Sequence, residues 1–87
     1  MERNILINDI ANFCFTYNMF GKSITVNQIR NGIANNIDDS NFIEGLINTI
    51  NGKAKRRKHI DIGRLKELLS ELEKIRLEIE YKDNERV

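Results

Sequence analysis

The chain has 87 residues, a net charge of +1, one cysteine, one histidine and no proline. That length allows one small domain, which buries only about 60% of its unfolded surface and is marginal alone. A single cysteine excludes an intrachain disulfide, and a single histidine without a Cys/His cluster argues against a structural metal, so a second copy is the remaining support.

The charge is unevenly spread. Residues 1–52 carry three cations and five anions, residues 53–60 five cations and no anion, and residues 61–87 six cations and eight anions. A near-neutral total therefore hides a cationic run, Lys53-Ala54-Lys55-Arg56-Arg57-Lys58-His59, between two mildly acidic parts. The N-terminus lacks a basic leader, and Asn8, Asp9 and Asn12 interrupt its apolar run. No apolar stretch approaches the ~18 residues of a membrane span. The expectation is a soluble cytoplasmic protein with no membrane partner.

The first predicted helix runs from Ile5 to Phe20 with Asn4 as N-cap. Leu6, Ile10, Phe13, Tyr17 and Phe20 recur at helical spacing, and Ile7, Ala11 and Cys14 widen the apolar face. Phe15 points off that stripe. Gly21 suits a helix stop. The second helix has the clearest start: Thr25-Val26-Asn27-Gln28 fits the capping box, with Ile24 and Ile29 as staple. Val26, Ile29, Ile33 and Ile37 mark its face. Gly32 inside it costs about 1 kcal/mol against alanine, which close approach of another helix would explain. Asp38 to Asn41 form a polar break, and Asn41 with Glu44 makes a weaker capping pair. A third helix carries Ile43, Leu46, Ile47 and Ile50, and Asn51-Gly52 ends it.

After the basic run, Ile60 and Ile62 alternate with His59 and Asp61. This permits a short strand, paired with Ser23–Thr25. The last helix is predicted from Asp61 or Gly63 to Tyr81. Leu65, Leu68, Leu72, Ile75 and Ile79 follow the 3-4 spacing of a heptad seam and are assigned to dimerisation. Leu69 and Leu77 lie off the seam. Residues 83–87 are expected to fray. The fold class is all-α, or α with a minimal β element. Residues 1–62 form a three-helix, helix-turn-helix-like domain with a basic loop at 53–59. Residues 63–82 form an amphipathic helix that pairs as a coiled coil.

No catalytic constellation is visible, so an enzyme is not expected, nor is a cofactor, a metal or a small-molecule substrate. Cys14 lies mid-stripe and reads as a buried structural thiol. Asp38-Asp39 lacks the ligand count of a calcium loop and reads as helix capping. The basic run has the more specific consequence. Clustered cations favour a polyanion, whose phosphates release condensed counterions on contact. Arg56 and Arg57 suit phosphate or guanine edges, Lys53, Lys55 and Lys58 act as point charges, and His59 completes the segment. The plain alternative is that the run neutralises the acidic last helix, in this chain or a neighbour.

The second and third helices permit a helix-turn-helix comparison over residues 25–50. Gly32 takes the small-residue position, Asn36 the turn, and Ile37 and Phe42 core positions. Asn31, Asn35 and Gly45 depart from the apolar pattern. The outward face of the third helix offers Asn48 and Thr49 to bases, with Glu44 unfavourable toward phosphates. The expected function is a small dimeric nucleic-acid-binding protein, with DNA favoured and transcription regulation as its use. The alternative is a non-enzymatic interaction module, an inhibitor or adaptor of a phage or mobile element that docks on a host protein through an acidic surface.

Overall fold

The computed structural model describes residues 1–85 and contains four helices: α1 (Arg3–Thr16), α2 (Val26–Asn36), α3 (Ser40–Ala54) and α4 (Ile62–Glu85). The all-α expectation holds. No strand occurs among the described residues. The expected Ile60–Ile62 strand gives way to a helix start. Asp61 Oδ1 accepts the Arg64 N–H at 3.0 Å and its carbonyl accepts the Leu65 N–H, so Asp61 caps α4.

α1 starts earlier and stops earlier than its spacing predicts. Glu2 holds the N-cap position without a side-chain bond, so Asn4 is not the cap. The stop comes at Asn18, which adopts a left-handed φ of 53°. Its N–H bonds the Phe15 carbonyl, and the Met19 N–H reaches back to the Cys14 carbonyl. This pair of bonds is a Schellman motif with asparagine in the place glycine usually holds. Met19 is buried just beyond it. Gly21, at φ 91°, serves the following loop rather than the helix end.

The α2 capping box forms on both legs. Thr25 Oγ1 accepts the Gln28 N–H at 3.1 Å, and Gln28 Oε1 accepts the Thr25 N–H at 2.8 Å. At α3 the cap is Asp39, not the Asn41–Glu44 pair. Asp39 Oδ1 accepts from the Asn41 and Phe42 N–H groups at 3.0 and 3.3 Å. α3 then runs through Asn51-Gly52 to Ala54. Gly52 stays out of the left-handed region, and burial of Ala54 holds the last turn in place.

The helices pack as two hairpins, α1 on α2 and α3 on α4, and α1 also touches α4. They share one core, in which Leu6, Ile10, Cys14, Met19, Ile43 and Leu72 are the most deeply buried larger side chains. Burial of these apolar groups supplies the main folding force. The α4 ridge belongs to this core. Leu72 is 0% exposed and Ile75 7%, Leu65 and Leu68 are equally enclosed, and Ile79 is half-buried. The assignment of Leu65, Leu68, Leu72, Ile75 and Ile79 to a dimer seam is therefore corrected: their 3-4 spacing marks a face covered by this chain's own helices. The last turns of α4 differ, since Leu77 and Tyr81 are 52% and 66% exposed.

Candidate polyanion-binding segment

The basic run straddles the end of α3 and the connection to α4. Lys53 and Ala54 close the last turn of the helix and Lys55 follows as its C-cap. The Arg56 N–H bonds the Lys53 carbonyl and the Arg57 N–H bonds the Ala54 carbonyl, which continues the winding for one tight turn. Cations at a helix C-terminus sit favourably against the partial negative charge there. His59 then takes a left-handed φ of 60° and reverses the chain before Asp61.

Two ties hold this connection against the end of α1. Arg57 Nε donates to the Tyr17 carbonyl at 2.7 Å and Arg57 Nη2 to the Asn18 carbonyl at 3.0 Å. Both carbonyls belong to the helix end that the Asn18 turn leaves open. The Asp61 N–H donates to the Tyr17 hydroxyl at 3.0 Å. Tyr17 is itself set by the Phe13 ring, whose centroid lies 4.7 Å away. Arg57 is thus taken up by the fold, which separates it from Arg56. Lys55, Arg56, Lys58 and His59 are exposed, and Lys53 is half-buried with its Nζ 5.5 Å from the centre of the Phe20 ring.

Among the described residues, no carboxylate pairs with any cation of the 53–58 run. Elsewhere, Lys22, Arg30, Lys66 and Lys82 are likewise without an ion pair among the described residues, but four other side-chain cations are paired. Arg3 pairs with Asp38 at 2.7 Å, and Arg64 with Asp9 at 2.7 Å and Glu67 at 2.8 Å. Lys74 pairs with Glu71, and Arg76 with Glu73 and Glu80. The hydrogen bond that Arg64 donates to Glu67, helped by the one to Asp9, raises the Arg64 pKa. The Arg76 bond holds Glu73 below its ordinary value and raises Arg76 in turn. Neutralisation of the acidic α4 by the basic run within the chain is therefore absent among the described residues. The acids of α4 pair instead with its own Arg64, Lys74 and Arg76 and with the N-terminal ammonium, 3.8 Å from Glu71.

Asn48 and Thr49 lie on α3 about one turn before Lys53. Asn48 is exposed, and so is Glu44. Thr49 faces a feature that sequence spacing did not reveal. α2 and α3 are joined across residues 37–39, yet an apolar groove of about 440 Å³ separates them. Phe20, Ile24, Ile29, Ile33, Phe42 and Leu46 supply its apolar walls, and no charged residue lines it. Gly32 and Gly45 stand on its two helices, and a Cβ at either would meet no atom within 4 Å. Gly32 does not mark close approach of a helix, as its position predicted; it leaves the groove open.

Cys14 is buried, and loss of hydration pushes its thiol up to about 12, so it stays protonated at neutral pH. No helix among the described residues is long and apolar enough to cross a membrane. Comparison with protein-family models, with curated proteins and with solved structures gives no match.

Proposed function

We propose that this chain is a small, non-catalytic nucleic-acid-binding protein, with DNA the favoured target and regulation of transcription its use. One observation carries this: five cations lie within six residues and no carboxylate among the described residues neutralises them. Such a cluster is most stable beside closely spaced phosphates. Lys53, Lys55, Arg56 and Lys58 meet the backbone. Arg57 keeps the connection in one shape, so the exposed cations lose less freedom on binding. Asn48 and Thr49 add at most a few base contacts, while the phosphate contacts set position without sequence.

The test is binding to a random duplex across a salt series, read by fluorescence anisotropy. Four phosphate contacts give a log–log slope of roughly −3 to −4, at about −0.9 per contact. Arg56→Ala with Lys58→Ala flattens the slope by about 2 and weakens binding to all sequences alike. Absent or salt-insensitive binding overturns the proposal. A second reading, a protein-interaction module, is favoured by one separate observation, the apolar groove between α2 and α3.

A further inference from the structure

Phosphate contact by the basic segment leaves two features without a use. One is the α2–α3 groove. The other is the last part of α4, where Leu77 and Tyr81 stand one turn apart on the same face, both more than half exposed. Upstream, from Leu65 on, the apolar residues of α4 are buried or half-buried. Residues 77–85 carry Glu78, Glu80, Asp83 and Glu85 against the single cation Lys82. This is an acidic helical segment with an apolar pair on it.

The groove has the opposite character. Its walls are mainly apolar, with Gln28, Asn36, Asn41 and Thr49 as polar lining and no charged residue, and one wall is Phe20, over which the Lys53 ammonium sits. Lys53 begins the cationic run. The groove's volume lies in the range of sites that enclose a few side chains. Apolar surface on an acidic helix therefore complements a mainly apolar trough with one cation, Lys53, at its Phe20 wall. The chain's own α4 does not occupy its own groove, since no α4 residue lines it, and Ile75 is held in the core just before the tail.

We propose that the C-terminal turns of α4 of one copy seat in the α2–α3 groove of a second copy, with Leu77 and Tyr81 against the apolar walls. Glu78 and the acids beyond it lie toward Lys53 and the cations that follow. This is the helix-in-groove mode of recognition. Reciprocal exchange, tail into groove and groove around tail, closes a two-fold dimer. The interface differs from a heptad seam, because the seam residues stay in each subunit's core. The tail acids and a duplex's phosphates draw on the same cations, so dimerisation is tested without nucleic acid: loss of duplex binding in a protein that still dimerises fails only the earlier proposal.

The experiment is sedimentation equilibrium of the full chain without nucleic acid, over a wide concentration range and at low and high salt. The expected result is a reversible dimer of twice 10.2 kDa that weakens as salt rises. Leu77→Ser with Tyr81→Ser removes the apolar pair. Gly45→Leu fills the groove, and Gly32→Leu fills it from the opposite wall. The open space at both glycines leaves the fold intact, which circular dichroism checks. Each variant raises the dissociation constant at least about tenfold. Mixing the tail variant with a groove variant gives more dimer than either variant alone, though less than wild type, since one of the two tail–groove contacts is then intact. A wild-type chain that stays monomeric throughout overturns the proposal. So does a dimer indifferent to both kinds of variant, or a mixture with no more dimer than either variant alone.

Discussion

α4 and the segment that leads into it treat charge in opposite ways. On α4, Arg64 and Arg76 each bind two carboxylates, and the apolar ridge beneath them is closed by the chain itself. In the 53–60 segment the cations outnumber everything nearby, and Arg57, the one arginine with partners, spends its bonds on backbone carbonyls. Arginine content is therefore no guide to role. What separates the two regions is that α4's arginines are paired with carboxylates, while no cation of the 53–58 run is, among the described residues. On α4 the arginine charges are local fastenings.

The largest effect should come from the ridge. Leu72→Ala, at a position with 0% exposure, should destabilise by about 2–5 kcal/mol in urea denaturation. The loss should not depend on protein concentration, since the contacts are within one chain. A concentration-dependent loss would return the ridge to an intermolecular seam.

Next come the neighbouring arginines. Arg57→Ala should cost about 1.5–3 kcal/mol, nearer the lower figure because one of its two bonds is exposed. Arg56→Ala should stay within about 0.5 kcal/mol. Duplex affinity should rank the other way at Arg56, which lowers the salt slope without touching the fold. Equal stability losses at the two positions would dissolve the distinction between fold anchor and phosphate contact.

The smallest effect concerns the α4 fastenings. Arg76 keeps the Glu73 carboxyl below its ordinary 4.5, so the folded state favours the charged form. That contribution is fully present above about pH 4.5 and is lost as pH falls through the lower folded value. Glu73→Gln should therefore lower the urea midpoint slightly at pH 7 and by less at pH 3. The difference is small because the pair lies at the surface, with Glu73 still in contact with solvent.

The elements were legible where local chemistry decides them. Thr25 and Gln28 specify a helix start in four residues, and both predicted bonds form. The end of α1 was less legible, since an apolar stripe continues to Phe20 while the backbone turns at Asn18. The stripe reports burial, and Tyr17, Met19 and Phe20 are buried or half-buried outside the helix. Spacing also could not name the partner of the α4 ridge, because a 3-4 pattern is the same whether it meets its own chain or a twin. For the candidate site, sequence located the cations but not their division of labour. Arg57 meets Tyr17 across 40 positions of chain, which no local pattern records. The groove was hidden for a similar reason: a glycine inside a helix signals missing volume, and only the packing shows whether a neighbour fills it.

The two groove glycines carry a further thermodynamic implication. Each lies inside a helix where alanine is intrinsically better by about 1 kcal/mol, and the space beside each would admit the methyl group. Replacing both should raise the melting temperature, at about 4–8 °C per kcal/mol for a chain of this size. The natural sequence is thus less heat-resistant than its own backbone permits, and the missing degrees coincide with a trough its surface keeps wide.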